Sequence, residues 1–216
     1  MAGSGTYSIQ IGEHGILLAA AHLSVRFVNN DTGKRIVEFN GLATKRGTEY
    51  TNSLGVPWRD DILGHEWVEG VDGDSYWNST RTRSTDTIAT KPLDALETDL
   101  AIARAVIEAV NAKGITYNPI GYNSNNFAFD LLEAFGYSRA DVRAITDRLT
   151  PGARLDLLTD QEIRDIRDSI LGNVREEPSA YEATGNTFHN GGTVGDFSDD
   201  MWIIDGESPL AYSTAC

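Results

Sequence analysis

The sequence has almost no cysteine: a single one, Cys216, is its last residue. One cysteine cannot form a disulfide within the chain, and it cannot build a structural zinc site. The end of a chain is also usually mobile, so Cys216 is a poor position for a catalytic thiol. Disulfide-stapled scaffolds and zinc modules are therefore excluded.

Basic residues are also scarce, with 18 lysines and arginines against 32 aspartates and glutamates, for a net charge of -14. Nucleic-acid-binding domains normally carry a basic face. No cluster of lysine and arginine stands out here, so no nucleic-acid partner is expected. The charge is typical of an acidic, soluble surface, and a basic protein partner is the alternative.

Long apolar runs are missing too. The most apolar N-terminal stretch, residues 15–21, is too short for a membrane helix and has no basic region before it. We therefore expect a soluble protein without a signal peptide, either cytoplasmic or exported by a signal-independent route.

Several ligand-binding motifs are absent. The chain has no P-loop, no dinucleotide fingerprint and no Gly-x-Ser-x-Gly elbow, so neither a cofactor nor an α/β-hydrolase is expected. Four aspartates cluster near the C-terminus, but their spacing does not match a calcium-binding loop. We expect no metal site from these residues, which are Asp196, Asp199, Asp200 and Asp205.

What the chain does contain is a clear hairpin signal. Residues 22–27 and 35–40 alternate apolar and polar side chains, and residues 29–34 between them are typical of a turn. The alternation puts Leu23, Val25 and Phe27 on one face and His22 on the other. A further short strand is predicted over residues 7–11, while His14, next to a glycine, is predicted to lie in a turn.

The later sequence is dominated by helical signals. Helices are predicted from Pro92 to residue 113 and from about Ser124 to Gly136. Two capping boxes, Ser138-x-x-Asp141 and Thr159-x-x-Glu162, open two more helices. Residues 43–92 predict a strand pair and loops, with His65-Glu66-Trp67 in a loop.

Together these signals predict an α+β fold with an antiparallel sheet packed against several helices. Residues 1–172 would form this domain. Residues 173–216 are rich in polar residues and glycine, and they would form a C-terminal extension, either packed on the same domain or flexible.

A group of residues suited to nucleophilic catalysis lies within this fold. A helix N-terminus has unpaired backbone N–H groups and a partial positive charge, which favour an oxyanion. Ser124 is at such a helix start, and His22 is on a strand. Glu38 or Asn40, on the paired strand, would share a sheet face with His22 and orient its ring.

This order of elements resembles the circularly permuted papain-like proteins, which include the LRAT, PPPDE and permuted NlpC/P60 groups. In those proteins a histidine strand and a second polar strand precede a helix that opens on approximately Asn-Cys-x-x-Phe. Here the helix motif is Asn123-Ser124-Asn125-Asn126-Phe127. The resemblance implies a papain-like hydrolase or acyl transferase for an amide or ester bond, with similar motifs in bacterial effector or toxin systems.

The resemblance implies roles for particular residues. Ser124 would be the nucleophile, His22 the base and Glu38 the group that orients the ring, while Asn40, Asn123 and Asn125 would contribute to binding. The substrate would be a peptide, a protein or a lipid ester. Because the family's nucleophile is cysteine, Ser124 is open to three interpretations: a true serine nucleophile, a vestige that has lost catalysis, or a deliberate replacement that inactivates the protein.

Each of these residues also has an ordinary structural explanation. Ser124 is of a type that caps helices. His22 would be a strand residue with a satisfied hydrogen bond, and Glu38 a solvated strand residue. The alternative function is therefore a non-catalytic protein-binding module of the same fold.

Overall fold

The computed structural model describes residues 5–17, 20–46, 56, 58–68, 82–146 and 155–172. Five strands and four α-helices lie in these ranges. The strands are β1 (Thr6–Leu17), β2 (Ala20–Asn29), β3 (Arg35–Thr44), β4 (Asp61–Val68) and β5 (Thr82–Pro92). The helices are α1 (Leu96–Ala112), α2 (Ser124–Ala134), α3 (Arg139–Ile145) and α4 (Asp160–Leu171). The α+β class with an antiparallel sheet and several helices is confirmed.

The sheet has the order β4-β3-β2-β1-β5, and every neighbouring pair is antiparallel. The predicted hairpin is confirmed as β2–β3, in which Phe27 pairs with Val37. Its turn is held by Asn29, whose side-chain oxygen accepts the N–H groups of Asp31 and Thr32. Gly33 follows with φ of 67°, a conformation that glycine adopts without strain.

Alternation along the strands separates an apolar face from a polar face. The apolar face carries side chains that are at most 1% exposed: Tyr7, Ile9, Ile11, Leu23, Val25, Phe27, Val37 and Phe39. Helices α1 and α2 pack on this side. The polar face carries His22, Ser24, Glu38 and Asn40, and these are also at most 2% exposed.

Helix α1 follows the predicted apolar spacing, and Leu100, Ala103 and Val110 of the predicted stripe are buried in the core. The predicted start of this helix at Pro92 is wrong. Pro92 ends β5, and a single 3₁₀ turn over Leu93–Ala95 leads into α1. The ring of Pro92 fits an edge strand as well as a helix start, because neither position needs its missing N–H.

Helix α2 is enclosed on nearly all sides, and Phe127 explains how it sits so close to the sheet. Gly41 of β3 pairs with Gly64 of β4. A Cβ atom built on Gly41 would lie 2.5 Å from the Phe127 Cβ, and one on Gly64 would lie 2.6 Å from its Cε2. The two glycines therefore form a recess that the Phe127 side chain fills.

Helices α3 and α4 begin after the predicted cap residues, and the full capping box forms only at α4 among these two. Ser138 accepts the N–H of Asp141, and Thr159 accepts the N–H of Glu162. The Glu162 carboxylate in turn accepts the Thr159 N–H at 2.7 Å. Both helix starts are therefore confirmed.

Three expectations for the other strands are wrong. His14 lies within β1 rather than in a turn, and the segment His65-Glu66-Trp67 belongs to β4 rather than to a loop. Strands β4 and β5 do not pair with each other but lie at opposite edges of the sheet. The strand signals over residues 76–81, the loop at His189 and the C-terminal aspartates lie outside the described residues, as does the extension 173–216. Within the described part of the chain, no helix is long and apolar enough to cross a membrane.

Candidate functional site

The first turn of α2 meets β2 just beyond the end of the β2–β3 ladder. The last residue pair of that ladder is Val25 with Phe39. Two residues before Val25 in the same strand, the Leu23 backbone N–H donates to the Asn125 side-chain oxygen at 2.9 Å. A helix side chain thus takes the place of a strand partner for β2. His22 and Ser124 are each one residue away from this bond.

The start of α2 is fixed by asparagines. Asn123, with extended φ and ψ, is the cap, and its side-chain oxygen accepts the Asn125 N–H at 2.9 Å. Asn126 completes a capping box by accepting the Asn123 N–H at 2.7 Å. The interpretation of Ser124 as the helix cap is therefore wrong: Asn123 is the cap, and Ser124 is the first helical residue.

The polar face of the sheet carries a chain of hydrogen bonds across β2 and β3. His22 Nε2 lies 3.0 Å from Asn40 Oδ1, and Asn40 Nδ2 donates to Glu38 Oε1 at 2.9 Å. The other Glu38 oxygen accepts from Arg35 Nη1 at 3.0 Å. The hydrogen-bond partner of the His22 ring in this chain is therefore Asn40, and Glu38 bonds to Asn40.

These bonds determine which ring nitrogen of His22 carries the proton. A carboxylate only accepts hydrogen bonds, so the Asn40 amide nitrogen must face Glu38. The Asn40 oxygen then faces His22 and needs a donor, so His22 Nε2 carries the hydrogen. In the neutral ring this leaves the lone pair on Nδ1, the nitrogen that would accept a proton.

Burial keeps the His22 ring neutral. Loss of solvation lowers the pKa of His22 to about 4, and the hydrogen bond to Asn40 opposes this shift. A buried positive charge is disfavoured because the protein interior solvates it poorly. At neutral pH the ring is therefore uncharged and able to accept a proton.

His14 is a member of this face that sequence reasoning missed. It pairs directly with His22 across β1 and β2, with ring centroids 5.8 Å apart. Its Nε2 lies 2.8 Å from the Ser24 hydroxyl, and both residues are completely buried. Burial, followed by the nearby His22 and Arg26, lowers the pKa of His14. The alternation of residues 7–14 was the signal that could have extended the predicted strand to His14.

Ser124 is 6% exposed and lies at the positive end of α2. Within the described residues, no hydrogen bond joins its hydroxyl to His22. The Asn125 and Asn126 N–H groups are both bonded to the Asn123 cap. Among the first-turn donors of α2, this leaves the Ser124 N–H without a partner in the described ranges, so it is the donor best suited to an oxyanion.

A separate acidic cluster lies at the other end of α2. Carboxylate oxygens of Asp130, Glu133 and Asp156 lie within 4.8 Å of one another. The Arg139 guanidinium forms ion pairs with all three. Asp130 also accepts the Leu157 and Leu158 N–H groups at 2.9 Å. The cluster therefore holds the segment before α4 against α2.

Comparisons with protein-family models, with curated proteins and with solved structures find no match to this chain.

Proposed function

We propose that this chain is a papain-like hydrolase or acyl transferase that acts on an amide or ester bond, with Ser124 as nucleophile, His22 as base and Asn40 as the group that orients the ring. Glu38 and Arg35 are positioning residues that hold Asn40. The observation that carries the proposal is the His22–Asn40–Glu38 chain of hydrogen bonds, because it leaves the proton-accepting nitrogen of His22 on Nδ1.

The meeting of β2 with the first turn of α2 adds support. The Leu23–Asn125 bond holds the strand that bears His22 against the helix that begins with Ser124. A nucleophile at a helix start beside a strand histidine is the arrangement of the permuted papain-like proteins that the motif Asn123-Ser124-x-x-Phe127 resembles. The recess at Gly41 and Gly64 fixes Phe127 and therefore sets how closely this helix approaches the sheet.

The proposed reaction proceeds in two steps. In the first, the Ser124 oxygen attacks the substrate carbonyl while His22 Nδ1 takes the hydroxyl proton. The Ser124 N–H donates to the resulting oxyanion. The ring then returns the proton to the leaving amine or alcohol, and an acyl-serine remains. In the second step, water or an acceptor alcohol or amine attacks this ester while His22 takes its proton. The acyl–oxygen bond then breaks, and His22 returns the proton to the Ser124 oxygen.

Serine makes stricter demands on the site than cysteine would. A thiol ionises with a pKa of about 8.5, whereas a serine hydroxyl needs a base in contact during attack. The neutral His22 supplies a lone pair, but its lowered pKa makes the charged ring costly to form. The Asn40 oxygen, held by Glu38, offsets this cost. It accepts the Nε2–H of His22, and this hydrogen bond strengthens when the ring becomes charged.

The second candidate is a non-catalytic protein-binding module of the same fold. Burial favours it: His22, Glu38 and Asn40 are at most 2% exposed, which suits a structural network that holds β2 to β3. The missing hydrogen bond between Ser124 and His22 points the same way. In this case the polar chain stabilises the sheet and Ser124 has no chemical role.

A Ser124→Cys exchange distinguishes the two candidates. It is made in a Cys216→Ser background, so that the introduced thiol is the single one in the chain. The rate of alkylation by iodoacetamide is followed against pH. A thiolate beside His22 and a helix N-terminus ionises well below about 8.5 and reacts at lower pH than free cysteine.

Matched variants separate the roles of the neighbours. Adding His22→Gln is expected to return the thiol pKa towards its ordinary value, and Asn40→Ala is expected to shift it part of the way. Asp168→Asn, on the exposed face of α4, is the control and leaves the profile unchanged. A thiol that titrates like free cysteine with His22 intact contradicts the catalytic proposal and favours the binding module.

A further inference from the structure

The large exposed apolar side chains of the described residues all lie in connections between helices and strands. In the part of the chain that the structure describes, five such residues are at least 41% exposed: Val56, Trp58, Ile120, Tyr122 and Leu155. None of them lies on the outer faces of the four helices or on the strands. A clustered apolar surface on a protein with net charge -14 is typical of a binding site.

Hydrogen bonds bring these segments together at the approach to α2. The Trp58 N–H donates to the Tyr117 carbonyl at 2.9 Å, and the Asn118 N–H donates to the Tyr122 carbonyl at 2.7 Å. The Leu155 carbonyl accepts from Asn126, in the first turn of α2. Backbone bonds of Trp58, Tyr122 and Leu155 therefore fix these three residues to the start of the Ser124 helix or to the connection that leads into it.

Trp58 is held in solvent by a strained turn. It is 69% exposed and has φ of 61°, a left-handed conformation that bulky residues rarely adopt. The buried Asp60 carboxylate fixes the turn by accepting the Val56 N–H at 2.6 Å. Holding a large aromatic side chain outside the core in this way does nothing for core packing, which favours a role in recognition.

The charged residues that line the groove beside this surface are two aspartates, Asp156 and Asp160, which share a neighbouring groove with Arg139 and Arg143. Tyr122 and Leu155 line a groove of about 570 Å³ together with Asp156, Asp160, Thr159 and Gln161. Asp156 is paired with Arg139, whereas Asp160 makes no ion pair within the described ranges. Anionic lipid headgroups would be repelled here, and a cationic side chain beside an apolar one would be attracted.

We propose that this surface binds an extended peptide segment in which a large apolar side chain is followed by lysine or arginine. The apolar side chain lies against Tyr122 and Leu155, and the basic side chain lies beside Asp160. The inference rests on the proposed function, since it identifies the substrate of the Ser124 site as a peptide or protein rather than a lipid ester.

The test measures binding to the Ser124→Ala protein by fluorescence anisotropy. The probes are fluorescein-labelled decapeptides with a central Phe-Lys, Phe-Glu or Ser-Lys pair, and vesicles of phosphatidylcholine with phosphatidylserine. The Phe-Lys peptide is expected to bind most tightly, with affinity that falls as salt increases. Leu155→Asn and Tyr122→Ser are each expected to weaken it about tenfold, the effect of one lost apolar contact.

Charge variants test the contribution of Asp160 to peptide binding. Asp160→Asn is expected to weaken binding of the Phe-Lys peptide about threefold. Binding of the Ser-Lys peptide is expected to stay weak. Asp168→Asn removes the same charge from the other end of α4 and is the matched control. Equal binding of the Phe-Lys and Phe-Glu peptides, binding of vesicles alone, or no binding of any peptide would each overturn the inference.

Failure of the inference and failure of the proposed function give different results. Peptide binding together with an unreactive Ser124→Cys thiol contradicts catalysis and leaves the peptide surface standing. A reactive thiol without peptide binding contradicts the peptide surface and leaves the hydrolase proposal standing.

Discussion

His14 and His22 lie directly opposite each other on β1 and β2, with ring planes 48° apart and centroids separated by 5.8 Å. Both rings are buried, and burial is the first cause of the lowered pKa of each. Two charged imidazoles at this distance would repel each other, and Arg26 adds to the positive charge near His14. The polar face is therefore stable only while both rings are neutral.

This relationship predicts that the protein loses stability in mild acid. In the unfolded chain each ring binds a proton below about pH 6.5, whereas the pKa of folded His22 is about 4. The unfolded state therefore binds more protons in this window, and the contribution is complete above pH 6.5 and lost as pH falls towards 4. The free energy of unfolding, measured by urea denaturation at several pH values, should fall by on the order of 1 kcal/mol per pH unit for each ring.

The comparison between variants isolates the two rings from the carboxylates. His14→Gln and His22→Gln are each expected to flatten the decline in the free energy of unfolding between about pH 6.5 and pH 4. Wild-type and variant curves that run parallel over this range would contradict the role of the two histidines.

The capping arrangement gives a second prediction. Asn123→Ala is expected to lower the free energy of unfolding by about 1–2 kcal/mol, because Asn123 accepts the first-turn N–H group of Asn125. Ser124→Ala is expected to change it by less than about 0.5 kcal/mol, because Ser124 makes no capping bond. Chemical denaturation of both variants checks this, and the opposite order would restore Ser124 as the cap.

The parts of the fold that could be predicted are those encoded locally. The β2–β3 hairpin follows from alternation around Leu23, Val25 and Phe27, and from a turn that Asn29 closes with its own side chain. The starts of α3 and α4 follow from Ser138 and Thr159, since a cap is completed within one helical turn. Neither feature depends on distant parts of the chain.

The parts that could not be predicted depend on distant partners. Gly15 next to His14 is typical of a turn, but β1 continues past it because β2 pairs with β1 as far as Leu17. The separation of β4 and β5 to opposite edges is set by which strand each one meets, and local sequence does not contain that choice.

The candidate site shows the same limit. Alternation correctly places both Glu38 and Asn40 on the face of His22, but it cannot say which of them reaches the ring. That depends on the register and on the point at which β2 and β3 stop pairing, near Val25 and Phe39. Asn40 lies beyond that point and contacts His22, while Glu38 lies within the ladder opposite Arg26.

The glycine recess under Phe127 gives a third prediction. Gly64→Ala and Gly41→Ala are each expected to destabilise the protein by about 1–3 kcal/mol, since the new Cβ would overlap the Phe127 side chain. Gly12→Ala is the matched strand control, because its Cβ would meet the end of the Arg26 side chain at 2.2 Å and the Ser24 hydroxyl at 3.1 Å rather than a core aromatic ring. Thermal and urea unfolding measure the three effects.

A double variant makes this prediction sharper. Gly64 faces the ring atoms of Phe127, so Phe127→Leu should make room for the alanine, and the two losses should sum to more than the loss in the double variant. Additive losses, or an equal loss for Gly12→Ala, would contradict the recess.

The acidic cluster at Arg139 gives the last prediction. Burial raises the pKa of Asp130 to about 7, and Arg139 opposes this shift. Arg139→Met removes the guanidinium that pairs with Asp130, Glu133 and Asp156, and leaves Arg143 as the basic residue of the same groove. At high pH these carboxylates repel one another, so the loss of stability should reach about 3–5 kcal/mol near pH 8 and shrink near pH 5, where Asp130 can bind a proton.

Two further variants test that explanation. Adding Asp130→Asn to Arg139→Met removes the buried charge, so the double variant should be more stable than Arg139→Met near pH 8. Arg164→Met, which removes an exposed arginine bonded to Gln161, should cost little at either pH. A loss in Arg139→Met that is independent of pH would mean that packing of the guanidinium on Phe129, rather than its charge, holds this end of α2.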